Sequence, residues 1–305
     1  MDLGLANLID PRLLPLVDDS HSFYEKRTAG RGPNGAEELR AMRAGAAKPA
    51  LASPPPIEEL VTANGWTVPV RIHTPVNTTP KGVFLELHGG GFYMGSAAGS
   101  DAANRRLADA LDVAVVSVDY RLAPEHPWPA APDDCETAAL WLVENAQDRF
   151  GTTKLAVGGF SAGSTLAMTT LLRLRNRGVS EFTGAVLQFG TYDLSAQTPA
   201  GRLIADEYFL AAYAGSAPDR THPDISPIYA DLSGLPPILM VVGDGDILLN
   251  DNLSMAARLS AAGASVDLRV YPGSPHGFTG HPTQMAKAAV DDIHMWLGDR
   301  LNLTA

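Results

Sequence analysis

The sequence predicts an α/β fold: a mostly parallel central sheet with helices on both faces and a helical cap. Two observations lead to this prediction. Apolar, strand-like runs alternate with helical patterns, and strands separated by helices of roughly 10 to 20 residues build right-handed crossovers. In addition, 305 residues with 45% hydrophobic side chains supply enough apolar material for one large core.

The sequence of the first 50 residues predicts short helices that do not form a hydrophobic core of their own. They are polar and irregular, with helical patterns at Pro11 to Val17 and Gly35 to Ala46 that are separated by turns containing Gly and Pro. A stiff Pro-rich connector follows at residues 52–56. We therefore divide the chain into N-terminal cap helices, residues 1–50, and a main domain, residues 51–305.

The main domain opens with a half-buried strand, in which Val68, Val70 and Ile72 alternate with Pro69 and Arg71. Further apolar runs predict the strands that follow, with helical patterns between most of them. These runs are Gly82 to Leu87, Val113 to Val118, Leu155 to Val157, Ala185 to Phe189, Ile238 to Val242 and Val266 to Val270.

One segment, residues 191–227, interrupts the alternation. It carries a helix-like run from Leu203 to Tyr213, flanked by polar stretches that contain Pro, and it is longer than a crossover helix requires. We interpret it as an insertion above the sheet that joins the N-terminal helices to form the cap.

Composition and charge exclude several functional classes. The net charge is -11, and the Lys and Arg residues are scattered, which argues against a nucleic-acid partner. No stretch approaches the roughly 20 apolar residues that span a bilayer, and the N-terminus lacks the pattern of a signal peptide, so we expect a cytoplasmic protein without stable membrane insertion. Dinucleotide and phosphate-binding glycine motifs and metal-ligand clusters are missing from the sequence, so no cofactor and no metal are expected.

The sharpest motif is Gly-x-Ser-x-Gly at Gly159 to Gly163, between the strand Leu155 to Val157 and a helical run. This context predicts a nucleophile elbow, a strained turn from which the hydroxyl of Ser161 protrudes. Gly159 and Gly163 lack the Cβ atoms that would clash where strand and helix nearly touch.

A second motif follows an earlier strand, where His88 precedes Gly89, Gly90 and Gly91. Consecutive glycines expose backbone N–H groups that can converge on one oxygen, as an oxyanion hole requires. We expect Gly90 and Gly91 to donate two hydrogen bonds and Ala162 a third, while His88 holds the loop.

Candidates for the catalytic acid and base come later in the chain, just past strand ends. Two aspartates, Asp244 and Asp246, follow the strand Ile238 to Val242, and we favour Asp246. For the base we favour His276, in the loop after the last strand, over His281 at the start of the last helical stretch. A serine hydroxyl needs such a base to take its proton, and the carboxylate fixes the tautomer of the imidazole.

The chain resembles the hormone-sensitive-lipase-like esterases, also called bacterial family IV, over roughly residues 60 to 300. The resemblance implies an α/β-hydrolase fold, the triad Ser161, Asp246 and His276, and the oxyanion hole named above. The sequence departs from the family's usual elbow, Gly-Asp-Ser-Ala-Gly-Gly, at Phe160 and Ser164. The most specific parts of the resemblance are His88 to Phe92, Asp119 to Ala131, and Ser226-Pro227 before Leu232 to Pro237.

The sequence thus predicts hydrolysis of carboxylic esters through an acyl-enzyme, and the resemblance implies small esters of short to medium acyl chain as substrates. The same triad could instead transfer the acyl group to another acceptor or cleave amides or lactones. A non-catalytic receptor on this scaffold is a remote alternative, because His276 is present. The last strand and helix, Val266 to Leu301, offer an edge for a homodimer.

Overall fold

The computed structural model describes residues 4–27 and 32–303. Its centre is one sheet of eight strands in the order β1-β2-β4-β3-β5-β6-β7-β8. The pairs β1/β2 and β2/β4 are antiparallel, and the other pairs are parallel. The strands are β1 Ile57–Ala63, β2 Trp66–His73, β3 Val83–Leu87, β4 Ala114–Val118, β5 Leu155–Phe160, β6 Phe182–Gln188, β7 Ile238–Gly243 and β8 Val266–Tyr271.

Helices cover both faces of the sheet. On one face α4, α5 and α7 pack over side chains such as Leu85 and Val116, and on the other α3 and α8 pack over Phe84 and Val115. The predicted fold class is therefore confirmed. The helices are α1 Val17–Tyr24, α2 Ala36–Ala44, α3 Asp101–Leu111, α4 Ala130–Phe150, α5 Ala162–Asn176, α6 Tyr208–Ala214, α7 Leu249–Ala261 and α8 Gln284–Arg300.

The helices on both faces of the sheet explain why the central strands are continuous apolar runs in the sequence. Every residue of β3 and β4 is buried, because helices lie on both sides of them. In edge strand β1 only Val61 and Ala63 are buried, so its sequence gives no apolar run, and this strand was not predicted.

The helix predicted over Leu203 to Tyr213 is wrong in its extent. The structure has a single 3₁₀ turn at Gly201–Ile204 and then the short helix α6. Between them Glu207 is extended, with φ -72° and ψ 130°, so the chain changes direction before α6 begins.

The N-terminal helices pack on the main domain at separate places. Arg12 makes an ion pair with Asp292 on α8, in which the single nitrogen Nη2 lies 2.5 and 2.6 Å from the two carboxylate oxygens. Ser20 in α1 donates a hydrogen bond to the carbonyl of Gly273, just after β8. In α2, Leu39 is buried in the main core. Within the described ranges no helix is both long and apolar enough to cross a membrane.

Candidate active site

Ser161 lies on the sharp turn between β5 and α5. Its backbone has φ 53° and ψ -122°, a conformation that residues with a side chain rarely adopt. Two hydrogen bonds restrain the turn: the N–H of Ser161 donates to the carbonyl of Gln188 at the end of β6, and its carbonyl accepts from the N–H of Ser164. The half-buried Ser161 side chain is thereby held at the carboxyl end of the sheet.

The two flanking glycines allow strand, turn and helix to touch. A Cβ atom at Gly163 would overlap the carbonyl of Leu87 and lie 2.5 Å from the carbonyl oxygen of His88. A Cβ at Gly159 would overlap the same Leu87 carbonyl and lie 2.6 Å from the backbone of Gly163. The elbow therefore packs directly against the start of the glycine turn that follows β3.

The loops after β7 and β8 bring an imidazole and a carboxylate to Ser161. The Nε2 atom of His276 lies 2.9 Å from the Ser161 Oγ. On the opposite side of the ring, Nδ1 lies 3.1 and 3.0 Å from the two carboxylate oxygens of Asp246. The Asp246 side chain is fully buried, and the N–H of Leu248 also donates to it.

This arrangement fixes the protonation pattern of the imidazole. A carboxylate only accepts hydrogen bonds, so Nδ1 of His276 carries a proton and donates it to Asp246. The other nitrogen, Nε2, is then free to accept from the hydroxyl of Ser161. Phe189 packs edge-on against the His276 ring, with centroids 5.1 Å apart, and limits its rotation.

The competing candidates lie elsewhere. Asp244 is half-buried, and among the described contacts none joins it to His276. His281 is within 2.9 Å of the hydroxyl of Tyr24 in α1, so it anchors the N-terminal segment. His294 lies on α8, where burial lowers its pKa.

The glycine turn after β3 is shaped by backbone conformations that favour glycine. Gly90 has φ 124° and Gly91 has φ 60°, and Phe92 follows in the left-handed region with φ 63°. Among the described residues no backbone acceptor pairs with the N–H of Gly90 or Gly91. Ala162 is the first residue of α5, so its own helix leaves its N–H unpaired. All three predicted donors therefore have N–H groups available for a bound oxygen.

His88 supports this turn from within the protein. Its Nδ1 lies 2.8 Å from the carbonyl of Gly89, and its ring stacks on Tyr120 with centroids 4.1 Å apart. The hydroxyl of Tyr120 in turn donates to the carbonyl of His88. Burial lowers the pKa of His88 to about 4, so at neutral pH the ring is uncharged and Nδ1–H donates to Gly89.

An aromatic cluster covers the glycine turn. Its members are Tyr93, which follows the turn, and Tyr208 and Phe209 of α6; their ring centroids lie 6.2 and 6.4 Å from that of Tyr93. A Cβ at Gly91 would lie 3.3 Å from the Tyr93 ring and 3.4 Å from the Cβ of Phe209. Beneath them Phe92 stacks on Tyr213 at 4.0 Å.

The long motif after β4, Asp119 to Ala131, supports the site structurally and contributes no group to its chemistry. Arg121 makes a bidentate contact with the buried Asp134 of α4, and Asp119 accepts from the N–H of Ala97. Two X-Pro bonds in this stretch, Ala123-Pro124 and Trp128-Pro129, are cis. The motif's charges thus fix loop geometry.

The sequence did not assign a role to two side chains at this site, Phe160 and Gln188. The ring of Phe160 packs against Gly89, where a Cβ would lie 2.5 Å from its Cε2 atom. Gln188 accepts a hydrogen bond from Thr279, which ties β6 to the loop that carries His276. The deviation from the family pattern at Phe160 was the only available signal. Over the described ranges, no group of three or more His, Cys, Asp or Glu residues is arranged to hold a metal ion.

Comparison with known proteins gives consistent matches. The family model described as alpha/beta hydrolase fold matches residues 84–280. The carboxylic ester hydrolase LipN of Mycobacterium tuberculosis is 36% identical over 230 residues, which span 69% of this chain and 61% of LipN. The carboxylesterase NlhH of the same species is 34% identical over 299 residues, spanning 92% of each chain.

The fold is also similar to solved structures. The crystal structure of a hormone-sensitive lipase from a metagenome library has a TM-score of 0.74 at 30% identity. That match covers 96% of this chain and 99% of the other. The likeness therefore extends over the N-terminal segment as well as the sheet.

Proposed function

Because this chain belongs to the α/β-hydrolase fold family, and within it to the hormone-sensitive-lipase-like esterases, we propose that it cleaves esters of short to medium acyl chain through Ser161, His276 and Asp246. The resemblance in the sequence motifs is confirmed by these matches. The observation that carries the proposed mechanism is the continuous hydrogen-bonded chain from the Ser161 hydroxyl through His276 to the buried Asp246.

The first half of the reaction acylates the serine. Nε2 of His276 takes the hydroxyl proton as the Ser161 Oγ attacks the ester carbonyl carbon, whose π electrons move onto its oxygen. The tetrahedral intermediate collapses, the bond to the leaving oxygen breaks, and His276 returns the proton so that an alcohol departs. Asp246 stabilises the imidazolium in between without itself taking the proton.

The second half hydrolyses the acyl-enzyme. His276 deprotonates a water molecule, which attacks the acyl carbon, and a second tetrahedral intermediate expels Ser161 with its proton restored. The products are the carboxylic acid and the regenerated enzyme. In both halves negative charge develops on the carbonyl oxygen, and we assign its stabilisation to the N–H groups of Gly90, Gly91 and Ala162.

The proposed preference for short to medium acyl chains rests on the aromatic cluster. Tyr93 and Phe209 lie close to Gly91 in the glycine turn and Tyr208 lies beside Tyr93, so the cluster limits the space next to the proposed oxyanion hole. A long chain would need these rings to move, whereas a small ester would not.

We also propose that residues 1–50 and 191–227 together form the cap over the main domain, residues 51–305. The two segments meet at the glycine turn: a Cβ at Gly32 would lie 2.8 Å from the Tyr93 hydroxyl and 3.3 Å from a carboxylate oxygen of Glu207. Residues far apart in sequence therefore share one wall of the site.

Hydrolysis of p-nitrophenyl esters from C2 to C12 tests the proposed function. The wild type should show a kcat/KM that declines toward C12, and Ser161→Ala and His276→Ala should each lower kcat by roughly 1,000-fold or more. Asp246→Asn should lose a similar factor, because it favours the wrong tautomer, while the matched Asp244→Asn should retain activity. Product analysis with added alcohols and amines distinguishes hydrolysis from acyl transfer. A wild type that cleaves none of the esters, or an active Ser161→Ala, would contradict the proposal.

A further inference from the structure

Arg43, near the end of α2, reaches from the N-terminal segment into the loops beside the site. Its Nε donates to the carbonyl of Tyr93 at 2.8 Å, and Nη2 donates to the carbonyl of Ala123 at 2.6 Å. Nη1 forms an ion pair with Glu125 at 2.8 Å. One guanidinium therefore bridges the loop after β3 and the loop after β4.

The Tyr93 carbonyl belongs to the same tight turn as the proposed oxyanion donors. The carbonyl of Gly90 accepts hydrogen bonds from the N–H groups of Tyr93 and Met94, at 3.2 and 2.8 Å. The carbonyl of Phe92, the residue before Tyr93, accepts a hydrogen bond from the N–H of Ala123 at 2.9 Å. A shift of Tyr93 would thus be transmitted along the turn, through Phe92, to the peptide planes of Gly90 and Gly91.

This turn needs an external restraint. Gly90, Gly91 and Phe92 all have positive φ, and the left-handed conformation is disfavoured for a residue such as Phe92. Strained conformations persist only where surrounding contacts over-determine them. Two of the hydrogen bonds that restrain the turn run from Arg43 to the Tyr93 carbonyl and from the N–H of Ala123 to the Phe92 carbonyl.

The arginine is itself anchored at both ends. Its helix is fixed by Leu39, which is 1% exposed in the main core, and its own side chain is 26% exposed. Glu125 is 52% exposed, so the ion pair to it is screened by solvent and contributes little. The two bonds to carbonyls are charge-assisted and directional, and they define where the turn lies.

We propose that Arg43 is a positioning residue for the oxyanion hole: by clamping the Tyr93 and Ala123 carbonyls it holds the N–H groups of Gly90 and Gly91 where the tetrahedral intermediate needs them. The proposal rests on the proposed esterase function. It gives the N-terminal segment a role in transition-state stabilisation, separate from covering the substrate.

The test compares Arg43→Met with Arg40→Met, a matched loss of one charge from an exposed position on the same helix. Arg43→Met should lower kcat by about 10- to 100-fold with KM within about twofold, because a displacement of about 1 Å can cost that much. A trifluoromethyl ketone, which mimics the tetrahedral intermediate, should bind more weakly to Arg43→Met than to the wild type. Its affinity should fall by the same factor as kcat/KM. The pH profile should keep its shape, and Arg40→Met should match the wild type.

Arg43→Lys provides a second variant in case Arg43→Met does not fold, as judged by near-UV circular dichroism. It retains the charge but cannot reach two carbonyls in the guanidinium geometry, so it should show an intermediate loss in kcat and in inhibitor affinity. Unchanged kcat and inhibitor affinity in a folded Arg43 variant, or a rise in KM alone, would overturn the proposal while leaving the esterase function intact. A wild type without esterase activity would overturn both.

Discussion

Ser161 shows how much of this site depends on single residues. Its backbone conformation is strained, and the surroundings that maintain it are mostly backbone atoms at close range. Gly163 faces the Leu87 carbonyl from within a helix, a position where alanine would ordinarily be favoured. At Gly163, close packing against the Leu87 carbonyl therefore takes precedence over helix propensity.

Gly163→Ala should therefore destabilise the protein, in contrast to an equivalent change elsewhere. The added methyl group overlaps backbone, which cannot shift cheaply, so we expect a loss of roughly 1–3 kcal/mol in the free energy of unfolding and a large drop in kcat. Gly298→Ala, also in a helix but with no atom within 4 Å of the new Cβ, is the control and should be neutral or stabilising. Chemical denaturation of both variants measures this. Equal stabilities would contradict the packing argument.

Phe160 occupies the position before the proposed nucleophile Ser161, where the family usually has an aspartate, and here its ring packs against Gly89. Phe160→Ala should open a cavity beside the glycine turn and lower both stability and kcat, the former by roughly 1–3 kcal/mol for this partly buried ring. Phe160→Leu should recover most of both, because it refills the space. Thermal unfolding and ester hydrolysis measure the two effects. A Phe160→Ala enzyme with wild-type kcat would show that the ring does not position the turn.

Individual residues were predictable where a motif ties them to a strand end. Ser161, Asp246 and His276 each follow a strand, and strand ends converge in a parallel sheet, so their proximity could be expected before any coordinates. Arg43 could not be predicted, because its partners are backbone carbonyls distant in sequence and a single arginine on a short helix carries no distinguishing pattern.

At the scale of elements, buried strands were predicted to within a few residues because both of their faces are apolar. β1 was missed because most of its residues are exposed, and α6 was misjudged because Glu207 turns the chain where the apolar pattern continues. In both cases tertiary contacts decide an outcome that local pattern does not show.

Asp251, in the first turn of α7, joins that helix to the start of the insertion by accepting the N–H groups of Tyr192 and Asp193. Burial raises the pKa of its carboxyl to about 6, and the charge of Asp193 adds to the effect. An unfolded chain has an aspartate pKa of about 3.9. Between these values the folded state retains a proton that the unfolded state has lost, so the contribution of Asp251 is most favourable below pH 4 and declines as the pH rises through 6.

Asp251→Asn removes this titration and keeps an oxygen to accept both N–H groups. Its stability relative to the wild type should therefore rise between pH 4 and pH 7, by at most about 3 kcal/mol. Asp219→Asn is the control: hydrogen bonds from Thr221 lower the pKa of that exposed carboxyl, so its stability difference from the wild type should change mainly below pH 4 and stay nearly constant between pH 4 and pH 7. Denaturation curves across this pH range measure both. A stability difference for Asp251→Asn that does not vary with pH would refute the assignment.

At the scale of the whole molecule, alternating strands and helices were enough to predict the fold class, and the motifs were enough to predict the family. The individual contacts within the proposed cap were beyond such reasoning, since Gly32, Tyr93 and Glu207 meet across long sequence separations without a shared periodicity. The homodimer edge at Val266 to Leu301 stays a prediction, which light scattering of the purified protein tests.

Mass spectrometry of the intact protein, after reaction with an organophosphate that carries a p-nitrophenolate leaving group, tests directly whether Ser161 is the nucleophile. We expect one covalent adduct per chain, located by peptide mapping on Ser161, forming as esterase activity disappears. Adduct formation should be absent in Ser161→Ala and strongly slowed in His276→Ala, with Asp244→Asn as the reactive control. An adduct on another residue, or full inactivation without modification of Ser161, would contradict the assignment of the nucleophile.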